Sequence, residues 1–129
     1  MPSSGERSLP RFKIRPYRSA KKLGFTFLEV FMSKLESRFQ SELIKELKER
    51  YKGCKVLKND PNYIQGFPDL TILYKNKWAV LECKRSEEES HRPNQDYYVN
   101  ELNQMSFSAF IFPGNKAKVL SELDSVFSD

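Results

Sequence analysis

Gly66–Arg85 reads GFPDLTILYKNKWAVLECKR. Two apolar runs, DLTILY (69–74) and KWAVLECK (77–84), are separated only by Lys75-Asn76. That spacing predicts an antiparallel hairpin closed by a two-residue turn. With such a turn Tyr74 pairs with Lys77, and counting outward sets Asp69 opposite Glu82; a different loop length shifts this by about a position. Side chains alternate along a strand, so Glu82 and Lys84 share one face and Cys83 turns to the other. An Asp, a Glu and a Lys therefore converge at one end of a strand pair whose remaining residues are apolar.

Facing carboxylates repel unless a cation lies between them, and hard oxygen ligands of this kind suit Mg²⁺ or Mn²⁺. The backbone carbonyl of Cys83 is a further candidate ligand. A metal held there polarises a phosphodiester and lowers the pKa of a bound water, while the Lys84 ammonium orients that water or offsets developing negative charge. A cross-strand salt bridge at a sheet end, with Asp69 a turn residue after Pro68, accounts for the same residues without chemistry.

Upstream, Leu35, Phe39, Leu43, Ile44, Leu47 and Tyr51 recur at helical spacing, predicting a helix from Ser33 to about Tyr51 that stops at Gly53. Its apolar stripe is centred on Glu36, with Gln40 on the margin and Glu42 and Glu46 to the side. A carboxylate in a core-facing stripe needs a partner, which a metal site supplies. The competing explanation is a capping box, Ser33-x-x-Glu36, with Glu36 returning to the Ser33 backbone N–H. A short strand at 54–58 and a loop at 59–68 lead into the hairpin. After the solvated run RSEEESHR, Pro93 suits the first turn of a helix reaching about Met105. A buried strand (108–112) and a last amphipathic helix, marked by Val119, Leu120, Leu123, Val126 and Phe127, complete the order αβββαβα. Gln95 shares a face with Tyr98, Leu102 and Met105. Its amide can hold a nucleophilic water, a phosphate or a neighbouring carboxylate, or simply be a satisfied buried amide.

The chain's 129 residues suffice for one domain with one active site, and 30% charged with 13% aromatic residues describe a soluble intracellular protein. The apolar runs are too short to span a bilayer, so no membrane partner is expected. Cys54 and Cys83 form neither a disulfide framework nor a zinc knuckle, and both read as reduced and structural. His91, the single histidine, sits in a charged loop and reads as a surface residue. Seven of the 22 Lys and Arg and two of the 17 acids fall within residues 1–31, leaving fifteen of each sign over 32–129. The basicity thus belongs to a poorly ordered arm (1–31), and the rest is neutral. Leu28-Glu29-Val30 can be encoded by codons containing a purine-rich ribosome-binding sequence, so a second reading makes Met32 the start and the arm non-native. Lys55, Lys58, Arg85 and Arg92 are the candidate phosphate contacts, with Lys75 and Lys77 further cations nearby.

Together these residues resemble the PD-(D/E)XK nuclease superfamily: Pro68-Asp69, twelve intervening residues, then Glu82-Cys83-Lys84. Within it the chain looks most like the small stand-alone VRR-NUC domains of phages and bacteria, through ESRFQ (36–40), GFPDL (66–70), ECK (82–84) and Gln95 opening the following helix. The resemblance implies an α/β fold with a restriction-endonuclease-like αβββαβ core, a mixed central sheet flanked by helices, and here a C-terminal helix, over a nuclease domain at 32–129. It implies Asp69 and Glu82 as metal ligands, Lys84 as the catalytic lysine, Glu36 as the first-helix acid and Gln95 as the helix glutamine. It further implies Mg²⁺- or Mn²⁺-dependent cleavage of DNA, and a homodimer similar to Holliday junction resolvases. The arm matches nothing in that pattern.

The expectation is therefore a structure-selective DNA endonuclease of repair, recombination or phage DNA processing, in the cytoplasm of a bacterial or phage-infected cell. The alternatives are a flap, nick or restriction-type nuclease of the same fold, or a non-catalytic nucleic-acid-binding module.

Overall fold

The computed structural model describes residues 24–128, so expectations for the arm before Gly24 lie outside the described residues. The described residues fall into two compact units that divide between Ser37 and Arg38. Helix α1 (Phe27–Arg50) runs through this division and is followed by β1 (Lys55–Lys58), β2 (Leu70–Tyr74), β3 (Lys77–Cys83), α2 (Gln95–Met105), β4 (Ser108–Ile111) and α3 (Lys116–Phe127). Among the described residues no helix is long and apolar enough to cross a membrane.

In the first unit, α1 opens at Phe27 instead of Ser33. The Thr26 backbone N–H donates to Glu29 Oε1 at 2.8 Å and the Glu29 N–H donates to Thr26 Oγ1 at 3.0 Å. This reciprocal pair is a capping box seven residues upstream of the expected one. Ser33 is consequently a helix-interior residue, and Glu36 is not a cap. We expect Thr26→Ala to cost about 1 kcal/mol locally, read by hydrogen exchange as roughly five-fold faster exchange of the Glu29 and Val30 amides, which bond to Thr26.

The second unit is α/β, built on a four-stranded mixed sheet of order β1-β2-β3-β4. β1 pairs β2 and β2 pairs β3 antiparallel, whereas β3 pairs β4 in parallel. Tyr74 faces Lys77 and Leu70 faces Leu81, as the two-residue turn requires. Lys75 takes the positive φ of 57° that such turns demand of their first central residue.

Period-two alternation sorts the sheet into two faces. Leu70, Ile72, Ala79, Leu81, Cys83 and Ile111 join Leu43 and Leu47 of α1 and Val119, Leu120, Leu123 and Phe127 of α3 in one core. The opposite face carries Val80, Glu82 and Lys84, and α2 supplies buried Gln95, Val99 and Leu102. The far ends of α1 and α3 are tied by Arg50, which donates to both Asp124 oxygens (2.9 and 2.6 Å), and by Tyr51, whose hydroxyl donates to Oδ1 at 2.5 Å. These partners, Arg50 first, hold the Asp124 carboxyl down to about 2. Any stability this clamp adds is present above the ordinary carboxylate range and lost only as pH falls toward that value.

Candidate metal centre

The hairpin register places Asp69 one residue before β2, level with Glu82 near the end of β3. A carboxylate oxygen of each lies within 4.8 Å of one from the other. Asp69 is held from three directions. Its Oδ2 accepts the Cys83 N–H at 2.9 Å, its carbonyl accepts the Asn59 N–H at 2.7 Å, and the Asn59 amide also donates to the Pro68 carbonyl at 2.8 Å. Asn59 lies in a stretch whose composition signals only a turn. Its second task, fixing the segment that carries Asp69, needs the folded β1–β2 pair to become visible.

Cys83 itself is fully buried, with its side chain in the core. In an extended strand the N–H and C=O of one residue point to the same side. The Cys83 carbonyl is therefore directed toward the Asp69 side, as a further oxygen donor there would be. Lys84 follows β3, and its N–H donates to the Ile111 carbonyl at 2.8 Å, which continues the parallel ladder by one residue.

Glu82, Lys84 and Gln95 are 3%, 2% and 6% exposed, so their charges and dipoles act with little screening by water. Lys84 Nζ donates to Gln95 Oε1 at 2.7 Å and to the Ser90 carbonyl at 3.2 Å, and lies 4.0 Å from Glu82 Oε2. Gln95 Nε2 donates to Glu82 Oε2 at 2.9 Å, and Gln95 Oε1 also accepts the Arg92 N–H at 2.8 Å. Of the uses a Gln offers at this position, the structure has the neighbouring carboxylate: Gln95 bridges the acid and the lysine. The amide is satisfied, and the groups that satisfy it are the candidate site residues.

Removal from water raises the Asp69 carboxyl above its ordinary value. The Cys83 N–H, the Lys84 and Arg92 charges and the Glu82 hydrogen bond pull the other way without cancelling it. A pair of close carboxylates with one pushed toward its protonated form is a donor set short of positive charge. The available atoms, carboxylate oxygens and a backbone carbonyl, are hard oxygens, which fits Mg²⁺ or Mn²⁺ and not a thiophilic metal.

The site also depends on a close backbone approach. Gly66 has φ 87°, and a Cβ there would lie 2.6 Å from the Pro93 carbonyl oxygen and 2.6 Å from Asn94 Cβ. Asn94, the residue before α2, takes φ 71° and provides no side-chain cap. Pro93 therefore lies outside the helix instead of in its first turn, because the left-handed Asn94 intervenes. This kink lets the GFPD segment, which carries Asp69, pack on the start of α2, which opens with Gln95.

Glu36 lies on α1, half-buried, and shares a helix face with Leu43 and Leu47, seven and eleven residues on. Gln40 is half-buried too, while Glu42 pairs with Arg38 on the surface (3.6 Å) and Glu46 with Lys116 (2.7 Å). Among the proposed phosphate contacts, Arg92 is exposed and close enough for its charge to act on Asp69. Lys58, opposite Leu70, is exposed at the Asp69 end of the sheet, whereas Lys55, opposite Leu73, is exposed toward the hairpin end. Arg85 is engaged with Glu89 at 3.4 Å, and Lys77 donates to the Ser128 carbonyl at 3.1 Å.

Compared with known proteins, the chain matches no family model, no curated protein and no solved structure.

Proposed function

We propose that the protein is a Mg²⁺- or Mn²⁺-dependent DNA endonuclease that hydrolyses phosphodiester bonds in branched DNA, Holliday junctions foremost, and works as a homodimer. The observation that carries this reading is the buried Lys84–Gln95–Glu82 chain beside Asp69. Two desolvated acids and an ammonium cost free energy unless they serve a bound cation and an anionic substrate, and a fold needing only a sheet end would fill that space with apolar side chains. Asp69 and Glu82, with the Cys83 carbonyl, are the residues that would hold the metal.

A divalent ion held by these residues would supply positive charge to the phosphodiester and lower the pKa of a bound water. The chain's own residues do the rest. Lys84 stabilises negative charge developing on the phosphate, and two fixed acceptors hold its ammonium so that no reorganisation is needed at reaction. Gln95 is a positioning residue: it sets the Lys84 ammonium and Glu82 Oε2 relative to each other. Arg92 and Lys58 meet the phosphates on either side of the reacting one, which makes binding salt-dependent.

The test is cleavage of a four-way junction, a flap and plain duplex with Mg²⁺ or Mn²⁺, comparing the wild type with Lys84→Ala and with Lys84→Met, whose unbranched stem fills the same space. Junction cutting lowered about 100- to 1,000-fold in both folded variants is expected. Preferential flap cutting would keep the chemistry and change the substrate. DNA binding without metal dependence and without cleavage would replace the enzyme with a non-catalytic binding module.

A further inference from the structure

The loop between β3 and α2 touches the site through its backbone at two points. Ser90 offers its carbonyl to Lys84, and Arg92 gives its N–H to Gln95. His91 lies between them, and its ring is fixed twice. It stacks on Phe110 of β4 with centroids 4.0 Å apart and planes 18° off parallel, and its Nδ1 is 2.7 Å from Asp96 Oδ1 on α2. The Lys84 ammonium is 6.0 Å from the centroid of the same Phe110 ring. This loop histidine thus has both a stacking partner and an oriented nitrogen, and the ring it stacks on is the one the Lys84 ammonium approaches.

From these contacts we infer that His91 is a DNA-phosphate contact of this site, its Nε2–H donating to a backbone phosphate while Asp96 holds Nδ1–H. The inference rests on the nuclease reading for its ligand, and it adds a residue to which neither the hairpin motif nor the resemblance gives a role. Asp96 accepts a proton-bearing nitrogen in either charge state, so Nδ1 is the protonated one. In the imidazolium Nε2 then carries the second donor, and in the neutral ring Nε2 is an acceptor that repels phosphate. Against the ring are Asp96 from α2 and the uncharged Phe110 of β4, and the charged residues nearest to these contacts are Lys84, 6.0 Å from the Phe110 centroid at the end of β3, and Arg92, next in the chain. A phosphate arriving opposite Asp96 favours the imidazolium, because two anions then flank one cation. DNA binding is thereby linked to proton uptake at His91.

His91 is the only histidine in the sequence, so its imidazole proton resonances are identified without assignment. The experiment follows them by NMR through pH titrations of the protein, alone and with a DNA four-way junction, in Ca²⁺ in place of Mg²⁺ to suppress turnover. Fluorescence anisotropy gives the affinity in parallel. We expect the imidazole titration to move to higher pH with DNA. We also expect His91→Phe, which keeps the ring on Phe110, to weaken binding about ten-fold in acid with unchanged thermal stability, and to abolish the rise in affinity on acidification that the wild type shows. Junction binding by the wild type with an unmoved imidazole titration, or His91→Phe binding as the wild type does, would overturn the inference and leave the nuclease reading standing. Absence of DNA binding by the wild type would remove both.

Discussion

Asp69→Asn is expected to give a protein that is more stable without metal and inactive with it. Burial raises the Asp69 carboxyl above its ordinary value, so the fold favours the protonated form. For an acid shifted in that direction, the stabilising contribution is complete below the ordinary carboxylate range and is lost as pH rises through the raised value. At neutral pH and above, the metal-free wild type therefore carries a penalty that a neutral amide does not. The amide keeps an oxygen for the Cys83 N–H, so the local geometry has no reason to change. Thermal melts without divalent ions should show the wild type losing stability relative to the variant as pH rises above the ordinary carboxylate range.

Adding Mn²⁺ should reverse the order. A ligand at about 100 times its Kd stabilises by about 2.7 kcal/mol, and for a domain of this size each kcal/mol moves Tm by roughly 4–8 °C. The wild type should gain on that scale, more at pH 8 than at pH 5 because the cation competes with the proton. Asp69→Asn should gain little, and its junction cleavage should fall by at least about 1,000-fold. Equal Mn²⁺ stabilisation of both proteins would remove Asp69 from the ligand set, whatever the cleavage assay gives.

The hairpin was legible because a period of two and a two-residue gap leave one register that buries the apolar residues of both strands. That register carries Asp69 to Glu82 by counting alone. The pairing of Lys84 with Gln95 was not legible as a contact, although each was visible as a candidate, because it joins a strand end to a helix start across a loop of ten residues, 85–94. The start of α1 was missed for a different reason. Thr26-x-x-Glu29 and Ser33-x-x-Glu36 are the same local pattern, and the large apolar residues Phe27, Leu28 and Phe31 near them are exposed, so they add nothing to a core-facing period. With the cap at Thr26, the capping-box alternative for Glu36 has no helix start to serve. His91 was the least legible: its partners Phe110 and Asp96 come from two later elements, and a histidine amid charges has no pattern of its own.

Gly66 shows the same limit, since a glycine in a loop reads as a turn whether or not anything packs against it. Gly53 and Gly66 have the same φ of 87°, yet nothing lies within 4 Å of a Cβ at Gly53, while at Gly66 three atoms of Pro93 and Asn94 lie at 2.6–2.8 Å. The pair therefore separates backbone strain from steric collision. Gly53→Ala should cost about 1–2 kcal/mol, the left-handed penalty alone. Gly66→Ala should cost that plus about 1–3 kcal/mol of overpacking, because two of the atoms it meets belong to backbone that cannot rotate away. Relief can come only by moving the GFPD segment off the start of α2. That motion shifts the segment carrying Asp69 and loosens the hold of Gln95 on Lys84 and Glu82, so Gly66→Ala should lose metal-dependent Tm stabilisation and cleavage at temperatures where it is still folded. Gly53→Ala should lose neither. Denaturant melts of the two variants, with and without Mn²⁺, read both effects; equal destabilisation with intact metal response would mean that the approach of Gly66 to Pro93 does not set the geometry of the centre.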